Sequence, residues 1–136
     1  MSTFYDEIGG HATMARIVEV FYARVVDDPV LRPLYPEEDL GPAEERLRMF
    51  LEQYWGGPTT YSETRGHPRL RMRHAPFAVT DTARAHWLTC FRAALDAVAL
   101  TPEQDEQFWA YVTYAAQFMV NTADGDVQSG ISAGNR

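Results

Sequence analysis

Apolar side chains recur every three or four residues along most of the chain, which is the spacing of one face of an α-helix. The clearest case lies between residues 11 and 27, where the apolar positions are Met14, Ile17, Val18, Phe21, Tyr22 and Val25. No segment alternates convincingly between apolar and polar residues as a half-buried strand would, and no internal repeat is visible. The pattern therefore predicts an all-α fold.

Glycine and proline clusters mark where the first helices begin and end. Gly9-Gly10 separates a very short turn, 4–8, from the helix over 11–27. A third helix opens at Gly41-Pro42, and Gly56-Gly57-Pro58 ends it. Its predicted apolar face consists of Leu47, Phe50, Leu51 and Tyr54. The stretch that follows, 57–67, is rich in glycine, proline, threonine and serine, and is predicted to be a loop.

The second half of the chain begins with a predicted short helix over 67–75, which Pro76 ends because proline disfavours a helical conformation in the residue before it. Two longer helices follow, for a total of about five. Thr80 or Asp81 caps the first of them, and the capping box Thr101-Pro102-Glu103-Gln104 opens the second. The predicted apolar face of the last helix is Phe108, Tyr111, Val112, Ala115, Phe118 and Met119. We expect one domain over 1–122 and a flexible C-terminal tail over 123–136.

Composition and charge exclude several classes of protein. The chain has 136 residues, 46% of them hydrophobic, and carries 12 basic against 19 acidic residues for a net charge of −7. An acidic chain lacks the excess positive charge that binding to nucleic acid requires. No apolar run approaches the roughly 18 residues of a membrane helix, and the N-terminus does not resemble a signal peptide. The lone Cys90 permits no internal disulfide, so we expect a cytoplasmic protein.

The histidines are the only candidate metal ligands of interest: His11, His67, His74 and His86. No two of them have the spacing of a metal site on one helix, but one imidazole suffices for iron when a porphyrin supplies the other four nitrogens. His74 is the best candidate, because the Leu70 carbonyl could accept its second ring N–H and Arg73 could pair with a haem propionate. The alternative is an ordinary histidine in a solvated basic turn, which is the commoner case on spacing alone.

Three amphipathic aromatic residues raise a second question. Tyr22 shares a helix face with buried valines, so its hydroxyl needs a hydrogen-bond partner. The Tyr35 hydroxyl and the Trp87 indole N–H need partners for the same reason. Each side chain could reach a backbone carbonyl, as such residues commonly do. Alternatively, the three converge as donors on a bound ligand that carries partial negative charge. Spacing alone leaves both interpretations open.

Longer motifs resolve these ambiguities through a resemblance. The stretch AEERLRMFLEQYWGGP over 43–58 resembles the group II truncated haemoglobins, as does Tyr61-Ser62-Glu63 followed by RGHPRLRMRHAPF over 65–77. The opening Phe4-Tyr5-Asp6 with Gly9-Gly10, and Phe21-Tyr22-Ala23, are also similar to that family. The resemblance spans about residues 4–121. It implies a two-over-two helical sandwich around haem b (iron protoporphyrin IX).

The resemblance also implies roles for individual residues. His74 is expected to be the proximal iron ligand, with Tyr22, Tyr35 and Trp87 on the distal side. Ala43 occupies the position where a distal histidine is usual, and its small side chain leaves an entry path. The remaining haem contacts implied are Leu47, Phe50, Phe77 and Phe91 on the ring, and Arg46, Tyr61 and Arg73 near the propionates.

Three functions remain open from the sequence. The first is the binding of oxygen, carbon monoxide, nitric oxide or other small ligands. The second is a redox enzyme, either a nitric oxide dioxygenase, which needs a reductase partner, or a peroxidase-like protein. The third is a helical module that binds a protein partner without haem. The oligomeric state is open as well, with a homo-oligomer among the alternatives.

Overall fold

The computed structural model describes residues 2–67 and 79–124, and the regular elements in this part of the chain are all helices, with no strand. The elements are α1 (Phe4–Glu7), α2 (Gly10–Val26), a 3-10 turn (Arg32–Leu34), α3 (Gly41–Tyr54), α4 (Thr60–Arg65), α5 (Asp81–Asp96) and α6 (Pro102–Met119). The prediction of an all-α fold is confirmed. Most of the predicted short helix over 67–75, and the tail from residue 125 onward, lie outside the described residues.

The long helices pack as two layers. Helix α2 packs against both α3 and α5, and α5 packs in turn against α6. The apolar face predicted for α2 is buried in full, and Met14, Ile17, Val18, Phe21 and Val25 have no exposed surface. This arrangement is the two-over-two sandwich that the sequence led us to expect. In the described ranges, no helix is long and apolar enough to cross a membrane.

The two helices of the second layer start where their capping residues predict. The Thr80 side chain accepts a hydrogen bond from the backbone N–H of Ala83 at the start of α5. At the start of α6, Thr101 accepts from the Gln104 N–H at 3.2 Å, and the Gln104 side chain accepts from the Thr101 N–H at 3.1 Å. These local bonds satisfy donors that a helix end otherwise leaves unpaired.

Glycine ends α3 because the chain passes too close to its neighbours for a side chain. A Cβ on Gly57 would lie 2.8 Å from the Glu52 carbonyl oxygen and 2.8 Å from the Tyr5 ring. The Gly57 N–H donates to that same carbonyl at 2.7 Å, so the close approach is also what closes the turn. Tyr5 itself is held there by a backbone hydrogen bond from its N–H to the Trp55 carbonyl at 2.9 Å.

The predicted loop over 57–67 is wrong in part, because residues Thr60–Arg65 form α4. A long-range contact accounts for this helix: the Gln53 side chain on α3 donates to Ser62 Oγ at 2.7 Å and accepts from the Ser62 N–H at 2.9 Å. Tyr61 is also buried, at 4% exposure, with its ring against Phe50. A polar sequence of six residues carries no periodic signal of its own, so these contacts decide its structure.

Two predicted apolar faces extend further along their helices than the buried core does. Tyr54 at the end of α3 is 49% exposed, and Phe118 near the end of α6 is 53% exposed. Tyr54 stacks on Tyr111, with ring centroids 3.8 Å apart, so its outer face remains in solvent. Helical spacing identifies the side of a helix that faces the core, but it does not show how far along the helix the core extends.

Candidate functional site

A cavity of about 530 Å³ lies between the helices, within the range of ligand pockets in proteins. Residues from α2 through α6 line it, together with the segment that follows α2. Its apolar lining residues include Leu31, Leu34, Leu47, Phe50, Leu51, Val79, Ala83, Val112, Ala115, Ala116 and Met119. A space of this size with such a lining suits a large, mostly apolar ligand.

Tyr22, Tyr35 and Trp87 all line this cavity, although they come from α2, the irregular segment before α3, and α5. The Tyr22 and Tyr35 rings meet edge to face, with centroids 5.7 Å apart and planes at 82°. Phe21 packs behind them against Trp87, at a centroid distance of 5.3 Å. The fold therefore brings the three side chains to one cavity, and their role as donors to a ligand stays a prediction.

Burial keeps both phenols in the protonated form. Desolvation is the main cause that raises the pKa of Tyr22 well above its ordinary value, and the interaction with the Tyr35 hydroxyl raises it further. Desolvation also raises the pKa of Tyr35, although the contact with Tyr22 works in the opposite direction. Both side chains therefore keep an O–H that can donate a hydrogen bond over the physiological pH range.

Three arginines line the cavity while remaining partly exposed: Arg46, Arg65 and Arg84. Arg46 pairs with Glu37, which also lines the cavity, at an N–O distance of 3.1 Å. Arg84 pairs more loosely with Asp81 at 3.5 Å. Guanidinium groups in such positions suit a ligand that carries carboxylates, because they bind carboxylates with good geometry.

The other residues named from the sequence have distinct places. Ala43 lines the cavity from the first turn of α3 and brings no polar group to it. Leu47, Phe50 and Tyr61 line it as well.

Phe91 is not among the residues that line the cavity. It has no exposed surface and packs behind Trp87, with centroids 5.1 Å apart, so it supports the indole instead.

The described histidines are engaged away from the cavity. His11 Nδ1 lies 2.8 Å from the buried carboxylate of Glu52, and His86 Nδ1 lies 2.9 Å from Asp28. Neither of them, nor His67, lines the cavity. Over residues 2–67 and 79–124, no cluster of three or more ligating side chains could hold a metal ion. His74, Leu70, Arg73 and Phe77 lie outside the described residues.

Some lining residues were not singled out from the sequence. Arg84 could have been found, since it precedes Trp87 by three positions and therefore shares its face of α5. Tyr111 was expected on a buried face, but nothing local indicates that this face borders a cavity. Arg65 and Glu37 follow from tertiary packing that the sequence pattern does not carry.

Comparison with known proteins agrees with this geometry. Residues 3–121 match the bacterial-like globin family. The chain is 38% identical to a group 2 truncated hemoglobin of Bacillus subtilis over 92% of this chain and 93% of that protein. A thermostable hemoglobin from Thermobifida fusca superposes with a TM-score of 0.87 at 60% identity, covering 88% of this chain and 98% of that one. A truncated oxygen-avid haemoglobin from Bacillus subtilis superposes with a TM-score of 0.83 at 38% identity, covering 88% and 100%.

Membership of a globin family implies a haem, and the described cavity fits one. A porphyrin is a large apolar ring with two carboxylates, and the cavity combines an apolar lining with partly exposed arginines. The polar groups needed to face a small ligand lie on the same cavity. Fold, cavity and sequence similarity thus agree that this chain belongs to the bacterial-like globins, as a group II truncated haemoglobin.

Proposed function

We propose that this protein binds oxygen, and other diatomic ligands such as carbon monoxide and nitric oxide, at a haem b whose proximal ligand is His74. One observation carries the proposal. Tyr22, Tyr35 and Trp87 reach a single, mostly apolar cavity from three different elements. Such donors, held in place before the ligand arrives, stabilise partial negative charge far better than mobile water does.

Each side chain of the proposed site has a role that follows from its chemistry. A bound haem would supply the iron to which a diatomic ligand bonds. Tyr22 and Trp87 donate hydrogen bonds to the ligand, and Tyr35 holds the Tyr22 hydroxyl in place through their contact. Leu47 and Phe50 exclude water from the same space. A protein of this kind holds oxygen too firmly to be an efficient carrier.

The proximal side of the proposal rests on the resemblance, with support from elimination. His11 and His86 are paired with carboxylates away from the cavity, so they are poor candidates for the ligand. We propose that the Leu70 carbonyl orients the His74 ring and that Phe77 packs on the porphyrin. Arg46, Tyr61 and Arg73 are the proposed partners of the propionates. Arg46 would exchange or share its present partner, Glu37.

An absorption spectrum tests this proposal most directly. The purified protein, with hemin added if colourless, should show a Soret band that shifts when the reduced protein is exposed to carbon monoxide. His74→Ala should lose or alter that band, because it removes the imidazole that is proposed to hold the iron. His86→Ala is the matched control and should keep the wild-type spectrum, since His86 pairs with Asp28 outside the cavity. A wild-type protein that retains no Soret band after hemin is added and the unbound hemin removed would instead support the haem-free helical module.

The pH dependence of oxygen release provides a second test. Because burial raises the pKa of Tyr22 and of Tyr35, both donors should stay protonated up to and beyond the ordinary tyrosine pKa of about 10. The oxygen dissociation rate constant should therefore change less than about twofold between roughly pH 6 and pH 9. Stopped-flow measurements that show a sigmoidal rise within this range would mean that a donor loses its proton there.

The proposed compartment is the cytoplasm. Cys90 is buried and free, so the fold does not depend on a disulfide. A protein with one buried thiol suits a reducing environment.

A further inference from the structure

The geometry points to Arg32 as a positioning residue that holds the segment 35–38 and thereby places the Tyr35 hydroxyl against Tyr22. Its effect on ligand binding rests on the function proposed above, whereas its effect on the segment does not. Arg32 lies in the 3-10 turn that follows α2. It does not line the cavity, so any influence on a ligand must pass through Tyr35.

The Arg32 guanidinium donates hydrogen bonds to three backbone carbonyls of the segment. Its Nη1 donates to the Tyr35 carbonyl at 2.9 Å. Its Nη2 donates to the Glu37 carbonyl at 2.8 Å and to the Glu38 carbonyl at 3.0 Å. Arginine is suited to this task, because its planar group presents five donors in a fixed arrangement.

The segment needs such support because it has no regular structure. Residues 35–40 connect the 3-10 turn to α3 without helix or strand. In the described part of the chain, no backbone N–H donates to the carbonyls of residues 35–39. Each residue fixed in an irregular conformation loses conformational entropy, so contacts must offset that loss. The three hydrogen bonds from Arg32 supply those contacts where the backbone does not.

Two further contacts hold the chain on either side of Tyr35, whereas Arg32 bonds to the backbone of Tyr35 itself. Asp28 accepts from the N–H groups of Val30 and Leu31 at 2.8 and 2.9 Å, and so fixes the chain just before the 3-10 turn. On the other side, the Glu37 carboxylate pairs with Arg46 of α3. Tyr35 lies between these anchors, with its ring edge to face with Tyr22.

Limited proteolysis of the full-length protein tests the effect on the segment. In Arg32→Met, which keeps an unbranched side chain but no donors, a glutamate-specific protease should cut after Glu37 or Glu38 at least roughly fivefold faster, because cleavage requires local opening. Arg32→Lys keeps the charge without the planar group and should fall between Arg32→Met and the wild type. Arg16→Met makes the same substitution at an exposed arginine of α2 and should match the wild type.

Cleavage within α6 provides the internal reference. If Arg32→Met accelerates cleavage after Glu37 and Glu38 while cuts after Glu103 and Glu106 keep their wild-type rates, the segment opens locally. Unchanged cleavage after Glu37 and Glu38 would overturn the inference. A proportional rise at all four sites would overturn it too, since Arg32 would then contribute only to global stability.

A double-mutant cycle tests whether Arg32 acts through Tyr35. Arg32→Met should speed oxygen dissociation by roughly two- to tenfold, as expected for the loss of one well-placed hydrogen bond, and should shift the infrared band of bound carbon monoxide. In a Tyr35→Phe background, the same substitution should have no further effect. An additive effect would overturn the route through Tyr35. If Tyr35→Phe alone leaves oxygen release unchanged while local proteolysis still responds to Arg32→Met, the proposed role of Tyr35 fails and the role of Arg32 in holding the segment stands.

Discussion

Replacing Trp87 by phenylalanine should increase the rate constant for oxygen dissociation by at least about tenfold, and by as much as roughly 100-fold. The variant removes the indole N–H of a residue that lines the cavity and keeps an aromatic ring. That ring can still pack against Phe21 and Phe91, which now lie 5.3 and 5.1 Å from the indole. A hydrogen bond to a charged group is worth roughly 1.5–3 kcal/mol, which corresponds to this range of rates when its loss appears in dissociation.

Tyr22→Phe should act in the same direction and by a similar factor, because it removes a buried hydroxyl from the same cavity. Trp109→Phe is the matched control: Trp109 lies on α6 outside the cavity, beneath the Arg92 guanidinium at 4.9 Å, so its replacement should leave oxygen release unchanged. Stopped-flow displacement of oxygen by carbon monoxide gives the rates. Wild-type rates in both Trp87→Phe and Tyr22→Phe would rule out hydrogen bonding as the source of slow release.

Phe108→Ala should lower the free energy of unfolding by about 3–5 kcal/mol. Phe108 has no exposed surface, and its ring contacts Phe4, Trp55 and Phe91 at centroid distances of 6.0, 5.4 and 5.8 Å. Removing it leaves a cavity among rings that belong to α1, the turn after α3, and α5, and such rings cannot close the gap without moving helices. A domain of this size is stable by only about 5–15 kcal/mol, so the loss is a large fraction of the total.

The matched control for Phe108→Ala lies on the same helix. Phe118 is 53% exposed, so Phe118→Ala should cost less than about 1 kcal/mol although it deletes the same atoms. Equilibrium unfolding in guanidinium chloride, followed by circular dichroism, measures both values. Equal losses in the two variants would mean that burial of Phe108 does not contribute as the packing indicates.

The sequence predicted those parts of the fold that depend on neighbouring residues. The starts of α5 and α6 follow from Thr80 and Thr101, whose side chains bond to backbone groups three residues ahead. The end of α3 follows from Gly57, where no Cβ fits. The buried face of α2 follows from spacing alone, because the predicted face is buried from Met14 to Val25. Interactions of this kind are encoded within one or two turns of chain.

Features that depend on contacts between residues distant in sequence could not be predicted from local patterns. Helix α4 is held by hydrogen bonds between Gln53 and Ser62, which lie nine positions apart, and no local sequence pattern predicts that contact. Likewise, Glu37 meets Arg46 only after the irregular segment has turned back towards α3. The convergence of Tyr22 and Trp87, which lie on separate helices, is a property of the assembled sandwich.

The prediction of a proximal iron ligand comes from the resemblance, because neither residue spacing nor the described part of the structure indicates one. Spacing alone left His74 as one histidine among four. Of the other three, His11 and His86 are paired with carboxylates, and none lines the cavity. The prediction for His74, like those for Leu70, Arg73 and Phe77, therefore remains one for spectroscopy to test.

The methyl group of Ala43 has a consequence for how different gases would be told apart. Ala43 lines the cavity but offers no donor, whereas the hydroxyl of Tyr22 belongs to a side chain that is only 6% exposed. With Ala43 at the point of entry, as the resemblance implies, a ligand would meet a side chain there that cannot distinguish oxygen from carbon monoxide. Inside the cavity the Tyr22 hydroxyl can distinguish them, because polarised oxygen accepts stronger hydrogen bonds than carbon monoxide does. The protein would then discriminate between oxygen and carbon monoxide by how slowly each dissociates, and not by which of them can enter the cavity.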